Sequence, residues 1–253
     1  MLFVIDVGNT NTVIGVFDDG ELAEDWRIQT HDGRTADEHG SLIRQLLEFA
    51  EISPGDLDAA IMSCVVPPME AALEEMVRRY LGLELVVVGR DLTPSLPVDV
   101  PNPSEVGADR LVNALAAWNQ VEKEQIIVDF GTATTFDAVS DSGGYVGGAI
   151  APGVVISREA LFQTASMLPR VDLAKPASVI GQTTIDSMQS GITFGYIGLV
   201  REIVTRMADQ LGGDPRVVAT GGLADLLSDE PDIVDVIDKE LTLKGLRDLY
   251  VAS

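Results

Sequence analysis

The stretch "FVIDVGNTNT", residues 3–12, is a hydrophobic run that stops at an acid and then breaks into glycine and small polar residues. The run is typical of a buried strand, with Asp6 at its end. A carboxylate in this position can hold a hydrated metal ion, and Gly8 lets backbone amides approach an anion closely. For a single copy of this pattern, an ordinary hairpin turn is the better explanation.

Length and composition favour a globular protein with a substantial core. The chain has 253 residues, 46% of them hydrophobic, which is enough for two modest domains or one large one. No apolar run reaches the length of a bilayer and no cationic leader precedes the first strand, so we expect a cytoplasmic protein without a membrane partner. The single cysteine, Cys64, excludes an internal disulfide and a cysteine-based zinc site.

The charge balance argues against one class of partner. Asp and Glu number 40 against 17 Lys and Arg, which gives a formal net charge of -23. Such a field repels polyanions, so we expect no nucleic-acid partner. The two histidines, His31 and His39, lie in a polar segment without metal-ligand spacing, and we interpret both as exposed.

The opening pattern occurs twice. "FVIDVGNTNTVIGVFDDG" and "IIVDFGTATTFDAVSDSG" share an apolar strand, an acid, a glycine, a polar turn, a second strand and an acidic turn. A matched register across two hairpins predicts two related domains. The alignment pairs Asp6 with Asp129, Gly8 with Gly131, and Thr12 with Thr135.

A domain boundary is predicted near the charged segment "QVEKEQ", residues 120–125. We therefore expect an α/β protein with an N-terminal domain over residues 1–119 and a C-terminal domain over residues 120–253. Two loops on facing domains can grip a polyphosphate between them. Neither a G-x-x-x-x-G-K-[ST] loop nor a Rossmann fingerprint is present, so these two nucleotide-binding folds are set aside.

A second acidic position opens the predicted helix in "NPSEVGADRLVNALAAW", residues 102–118. A helix N-terminus attracts anions, and the Arg110 guanidinium offers a fork for a carboxylate. Asp109 would then lie close to a bound acid and could accept a proton. The spacing fits equally well with a local cap or ion pair between Asp109 and Arg110.

Two further segments carry glycines at notable places. In "VATGGLADLL", residues 218–227, a strand runs into Gly221 and Gly222 and then a predicted helix, so bare backbone can face a flat ligand. The long predicted helix that follows "GQTT" has Gly191, Gly195 and Gly198 among its small residues, which allow a close neighbour. A buried core helix would explain the second segment as well.

Three loops resemble, in this order, the nucleotide site of the acetate kinase, sugar kinase, Hsp70 and actin superfamily. They are the turn after Asp6, the turn after Asp129 and the loop that contains Gly221 and Gly222. That resemblance implies two duplicated ribonuclease H-like (actin-like ATPase) domains with an interdomain nucleotide cleft. A narrower resemblance is to the type III pantothenate kinases. It rests on seven motifs in family order, "DVGNTNT", "NPSEVGADR", "DFGTATT", "GGAIAPG", "IGQTTIDSMQSG", "ATGGLA" and "LTLKGL".

The resemblance implies ATP-dependent phosphorylation of pantothenate to 4'-phosphopantothenate, the first step of coenzyme A biosynthesis. It implies magnesium, held at Asp6, and a monovalent cation, potassium or ammonium, held at Asp129. It also implies a homodimer formed through the long helix, with Asp109 as the general base. The ATP contacts would be Asp6, Val7, Gly8, Asn9, Thr10, Asn11, Thr12, Val13 and Thr132. The pantothenate contacts would be Val100, Gly107, Ala108, Asp109, Arg110 and Thr184.

Two positions depart from the family pattern. Many relatives carry a tyrosine that contacts pantothenate at the position of Val100, and "GQTT" replaces the commoner "GKNT", which removes a positive charge near the substrate. Neither change touches the phosphate loops or Asp109. We therefore expect an altered substrate affinity with the reaction retained.

Two other function classes are compatible with the resemblance. Some family members have been described as transcriptional accessory factors, and the superfamily includes filament-forming actins. The acidic charge disfavours direct DNA binding, and the chain is short for an actin. The three acids Asp6, Asp109 and Asp129 favour the enzyme.

Overall fold

The chain contains ten strands and six α-helices, and the computed structural model describes all 253 residues. The chain divides into two units that exchange segments along the sequence. The first unit comprises Met1–Leu96, Pro101–Asn119 and Glu240–Ser253, and the second comprises Pro97–Val100 and Gln120–Lys239.

The first unit contains a five-stranded sheet made of β1 Leu2–Val7, β2 Asn11–Asp18, β3 Glu21–Gln29, β4 Ala59–Cys64 and β5 Leu85–Val87. The strand order is β3-β2-β1-β4-β5. The central strand β1 pairs antiparallel with β2 and parallel with β4. The sheet is therefore mixed. The turn between β1 and β2 and the turn between β2 and β3 lie on its antiparallel side.

Helices cover both faces of this first sheet. They are α1 Ala36–Phe49, α2 Pro67–Met76, α3 Ala108–Gln120 and α6 Leu241–Val251. Phe3, Ile5 and Val7 alternate along β1 and join the hydrophobic core that also holds Ile43 of α1 and Leu73 of α2. The other face meets α6, which contacts β1, β2 and β4.

The second unit contains a sheet made of β6 Gln125–Phe130, β7 Ala133–Val139, β8 Tyr145–Pro152, β9 Arg216–Gly221 and β10 Val236–Ile237. Its order is β10-β9-β6-β7-β8, with β6 antiparallel to β7 and parallel to β9. Two helices belong to this unit, α4 Val154–Thr164 and α5 Thr184–Leu211. Ile192, Tyr196 and Val200 of α5 pack into the core over β6 and β7.

The two sheets have the same strand order and the same strand directions. β6, β7, β8, β9 and β10 take the places of β1, β2, β3, β4 and β5. The predicted duplication of an α/β unit is therefore confirmed. The helix predicted after Gly221 and Gly222 is only a short 3-10 turn, Ala224–Leu227.

The C-terminal segment does not stay with the second half of the chain. Residues 240–253 fall in the first unit, where α6 packs on the first sheet, although the predicted C-terminal domain ran through residue 253. Gly245 lies against α3 so closely that a Cβ there would be 2.5 Å from the Val112 carbonyl oxygen. Thr242 Oγ1 also donates to Asn113 Oδ1 at 2.7 Å. These long-range contacts determine the position of α6.

The start of α1 confirms one prediction and contradicts another. The spacing of Thr35 and Glu38 in "TADEHGSLIRQLLEFA" predicts a capping box. The structure contains it, since each side chain accepts from the other residue's backbone N–H. The interpretation of His39 as exposed is wrong, because only 2% of its surface is accessible. His31 is exposed as predicted. Every helix is too short or too polar to span a bilayer.

Candidate active site

The turn between β1 and β2 is held from the neighbouring strand end by Thr30. The Thr30 N–H donates to the Thr10 carbonyl at 2.9 Å, and Thr30 Oγ1 donates to the Gly8 carbonyl at 2.7 Å. Thr12 Oγ1 lies 3.0 Å from Thr30 Oγ1, and the Gly8 N–H donates to the Asn11 carbonyl at 3.0 Å. The turn is thus a fixed loop. No sequence signal identifies Thr30 as a residue of the site, because a threonine after a strand is common.

The predicted phosphate contacts of this turn differ in their access to a ligand. Asn9 and Thr10 at the tip are exposed, whereas Val7 and Thr12 are buried. The Thr12 hydroxyl supports the loop through its contact with Thr30. We therefore expect Thr12 to act by shaping the backbone. The half-buried members of the predicted set are Asp6, Gly8, Asn11 and Val13.

The corresponding turn of the second unit is one residue shorter. Asp6 pairs with Val13 across the first hairpin, whereas Asp129 pairs with Thr135 across the second. The alignment of Thr12 with Thr135 is therefore wrong by one residue. A shift of one residue moves a strand side chain to the opposite face of the sheet.

Thr134 is the true counterpart of Thr12, and the two residues behave alike. Both are buried, with 0% and 1% of their surface accessible. Thr134 Oγ1 is hydrogen-bonded to the Tyr196 hydroxyl at 2.5 Å, which ties the second hairpin to α5. Thr132, the predicted ATP contact, is exposed at the turn. The chain around Gly153 packs so tightly on this turn that a Cβ there would overlap the Thr132 carbonyl.

Asp129 lies at the end of β6, where β9 runs beside it. Its register partner on β9 is Thr220, and the next residue, Gly221, has a φ of +88°. A Cβ at Gly221 would be 2.5 Å from Asp129 Oδ1, so only glycine leaves room for the carboxylate in this position. The glycines of "ATGGLA" are thus explained in part by Asp129. The predicted role of that loop in contacting a flat ligand stays a prediction.

A second acid, Asp137, lies two residues beyond Thr135 on β7 and was absent from the predicted site. Its side chain is fully buried, and it accepts from the Tyr145 hydroxyl at 2.8 Å and from Thr135 Oγ1 at 3.1 Å. Thr135 and Asp137 point to the same face of β7 because strand side chains alternate. The period-two pattern of "TTFDAV" could have revealed it once the strand register was known.

Asp109 and Arg110 open α3, as predicted. Asp109 Oδ1 accepts from the Arg110 backbone N–H at 2.9 Å, which is a local cap. Gly107 leaves room for the carboxylate in this position, since a Cβ there would be 2.5 Å from Asp109 Oδ1. Ala108 is the first residue of the helix, and all four residues are half-buried in the first unit.

Burial determines the acidity of Asp109. Burial raises the pKa of its carboxyl above the ordinary value of 3.8, and the backbone N–H and positive charge of Arg110 oppose this shift without cancelling it. The local contact between Asp109 and Arg110 is therefore compatible with a role of Asp109 as a proton acceptor. The cap orients the carboxylate, while burial makes it a stronger proton acceptor.

The remaining predicted substrate contacts, Val100 and Thr184, belong to the second unit. Val100 is half-buried, and Gly147 lies near it. Thr184 is exposed in the first turn of α5, directly after the helix cap Thr183. It borders a groove of about 570 Å³ between α4 and α5, which also contains Leu161, Leu168, Met188, Gly191, Ile192, Gly195 and Leu199.

The acids of the predicted site do not form a metal-binding cluster of their own. No group of three or more His, Cys, Asp or Glu side chains is placed to hold a metal by itself. Mg²⁺ in kinases commonly takes one or two carboxylates together with waters and substrate phosphates. Asp6, half-buried at the strand end before Gly8, offers one such carboxylate.

Comparison with known proteins places these features in a family. The type III pantothenate kinase family model matches residues 2–206. The chain is 52% identical to the type III pantothenate kinase of Geobacter sulfurreducens over 250 residues, which cover 99% of this chain and 98% of that protein.

Solved structures with the same fold are more distant in sequence. A Campylobacter jejuni protein described as a Baf family transcriptional activator superposes with a TM-score of 0.61 at 21% identity, covering 99% of this chain and 98% of that one. Acetate kinase from Entamoeba histolytica superposes with a TM-score of 0.51 at 10% identity, covering 99% of both chains. These likenesses support the predicted pair of ribonuclease H-like domains. The chain belongs to the type III pantothenate kinase family.

Proposed function

We propose that this protein transfers the γ-phosphate of ATP to pantothenate and forms 4'-phosphopantothenate, the first step of coenzyme A biosynthesis. The observation that carries the proposal is the 52% identity to a type III pantothenate kinase over nearly the full length of both chains. The half-buried Asp109 at the start of α3 supports it.

On the acceptor side, Asp109 takes the proton from the primary hydroxyl of pantothenate. Its raised pKa makes it a better proton acceptor than an exposed aspartate. The Arg110 guanidinium and the N-terminal amides of α3 hold the carboxylate of the substrate. Val100 gives an apolar contact where relatives have tyrosine, and Thr184 contributes a hydroxyl. The two departures from the family pattern, Val100 and "GQTT" in place of "GKNT", are expected to change the KM for pantothenate more than kcat.

On the donor side, the hairpin turns after Asp6 and Asp129 hold the ATP phosphates with backbone amides and small hydroxyl or amide side chains. Neither turn adds a positive charge of its own. Asp6 would hold the magnesium ion and Asp129 the monovalent cation. These cations supply the positive charge that stabilises the phosphates during transfer.

We also propose that the protein is a homodimer formed through the groove between α4 and α5. A Cβ at Gly191, Gly195 or Gly198 would meet no atom within 4 Å, so the fold of the single chain does not require these glycines. Each glycine inside a helix costs roughly 0.5–1 kcal/mol relative to alanine. A close neighbouring helix from a second copy explains them. The exposed apolar side chains Phe162 and Ile185 lie on α4 and α5 as well.

The proposed reaction is tested by incubating the purified chain with ATP, pantothenate, magnesium and potassium, and detecting 4'-phosphopantothenate by mass spectrometry. Product formation that depends on both substrates is expected. Turnover of ATP without a phosphorylated pantothenate would reject the proposal. The Asp109→Asn variant serves as the control for a contaminating kinase.

A regulatory role is the second candidate, because a protein of the same fold is described as a transcriptional activator. At 21% identity that likeness concerns the fold alone. The net charge of -23 opposes contact with DNA phosphates. Salt-sensitive binding of this chain to duplex DNA in a gel-shift measurement would favour the regulatory role.

A further inference from the structure

Ser63 lies directly beside Asp6 in the first sheet. The two residues are register partners in the parallel pair of β1 and β4, and such strands run about 4.8 Å apart. Phe3, Ile5 and Val7 point into the core on the opposite face. Since side chains alternate along a strand, Ser63 and Asp6 share the face that α6 covers.

The Ser63 hydroxyl is both buried and unpartnered. None of the residue's surface is accessible, and Ser63 Oγ makes no hydrogen bond. An unpartnered buried hydroxyl destabilises a fold, and native proteins contain few of them. An apolar residue would suit this buried strand position better. The cost of keeping serine here indicates that the hydroxyl is used in another state of the protein.

The second unit repeats the same juxtaposition. Thr220 on β9 is the register partner of Asp129 on β6, in a sheet of identical order. Thr220 is 2% exposed. A buried hydroxyl residue therefore stands beside the strand-end aspartate in both units. This repetition in two otherwise different strand sequences argues against a chance serine at residue 63.

We propose that Ser63 is a positioning residue, whose hydroxyl donates a hydrogen bond to the Asp6 carboxylate and orients it toward the magnesium ion of the bound nucleotide. A rotation of the serine χ1 angle between staggered positions is enough to redirect the donor. A hydrogen bond to a carboxylate is stronger than one between neutral groups. The inference rests on the proposed kinase function, which assigns the magnesium ion to Asp6.

The test measures metal binding directly. Mn²⁺ is titrated into the full chain with a non-hydrolysable ATP analogue, and free Mn²⁺ is followed by electron paramagnetic resonance. Ser63→Ala should weaken Mn²⁺ binding roughly ten-fold, the effect of losing one hydrogen bond. Ser63→Thr keeps the hydroxyl and should bind within about two-fold of the wild type. Ser41→Ala makes the same chemical change on the exposed side of α1 and should bind as the wild type does.

Thermal unfolding separates a positioning role from a structural one. Removing an unpartnered buried hydroxyl should leave the Tm of Ser63→Ala equal or higher while metal affinity falls. Unchanged Mn²⁺ affinity in this variant would overturn the inference, and so would a loss of affinity accompanied by a lower Tm. The titration needs no pantothenate. A wild type that binds Mn²⁺ with nucleotide but leaves pantothenate unphosphorylated would reject the proposed function separately.

Discussion

Asp109 Oδ1 lies 2.5 Å from the position that a Cβ atom would take at residue 107, so the carboxylate fills the space of a missing side chain. The same oxygen accepts the Arg110 N–H at 2.9 Å. Gly107 leaves room for the carboxylate, and the Arg110 N–H holds it in this position. A side chain at residue 107 would have to displace it.

Gly107→Ala should therefore reduce kcat while the protein stays folded. A displacement of about 1 Å at a reacting group can cost roughly 100-fold in rate, and we expect a fall in kcat of this order. Steady-state kinetics with pantothenate and ATP measure it. Gly55→Ala is the matched control, since a Cβ there meets no atom within 4 Å and should leave kcat unchanged. Wild-type kcat in Gly107→Ala would show that the carboxylate can move without consequence.

Asp109→Asn should lower kcat by about 10²–10⁴-fold, the usual contribution of a general base, with ATP binding retained. Because the pKa of Asp109 is raised in the fold, its contribution to stability is greatest below the unfolded pKa and is lost as the pH rises through the folded pKa. The variant should thus be as stable as the wild type near neutral pH, or more stable. Urea unfolding at several pH values checks this. Near wild-type turnover by the variant would exclude Asp109 as the base.

The fold could be predicted from the sequence where the signal is local. Apolar runs mark strands and the Thr35–Glu38 capping box marks a helix start, and the structure contains both features. The placement of α6 could not be predicted. It depends on the contact between Thr242 and Asn113, which are 129 residues apart. No pattern within either segment encodes that pairing.

The motifs of the candidate site can be read from the sequence, whereas the strand register that places their residues cannot. The hairpin turns differ by one residue, and both contain runs of small polar residues, so several alignments look alike until the strand register is known. For a related reason, sequence patterns do not identify Asp137 and Ser63. Their importance comes from neighbours on adjacent strands, Thr135 with Tyr145 for the acid and Asp6 for the serine.

Asp129→Ala should weaken activation by monovalent cations more than it weakens pantothenate binding. Loss of the carboxylate should raise the potassium concentration for half-maximal activity about ten-fold or more, with a smaller change in the KM for pantothenate. Potassium titrations of the initial rate measure the effect. Asp141→Ala removes an exposed carboxylate from the β7–β8 turn and is the control. An unchanged potassium dependence in Asp129→Ala would move the cation site elsewhere.

His39→Leu should make stability less sensitive to acid. Burial, aided by the charge of Arg34 and opposed by Glu38, lowers the pKa of His39 below its ordinary 6.5. The neutral imidazole therefore contributes stability above the unfolded pKa, and this contribution is lost as the pH falls through the folded pKa. One proton adds a slope of at most about 1.4 kcal/mol per pH unit. Chemical unfolding on the acid side of pH 6.5 should show that slope in the wild type alone. Equal slopes would contradict it.

The groove between α4 and α5 leads to the last prediction. A Cβ at Gly195 would meet no atom within 4 Å, so a side chain can begin there without a clash in the single chain. Gly195→Trp should consequently fold, yet it should fail to associate and lose activity, because a second helix can no longer approach and the groove that holds Thr184 is disturbed. Sedimentation and kinetics measure both effects. Gly195→Ala should raise the helix stability of the single chain by roughly 0.5–1 kcal/mol and should weaken association less than Gly195→Trp does. A monomeric wild type with full turnover would rule out the shared interface.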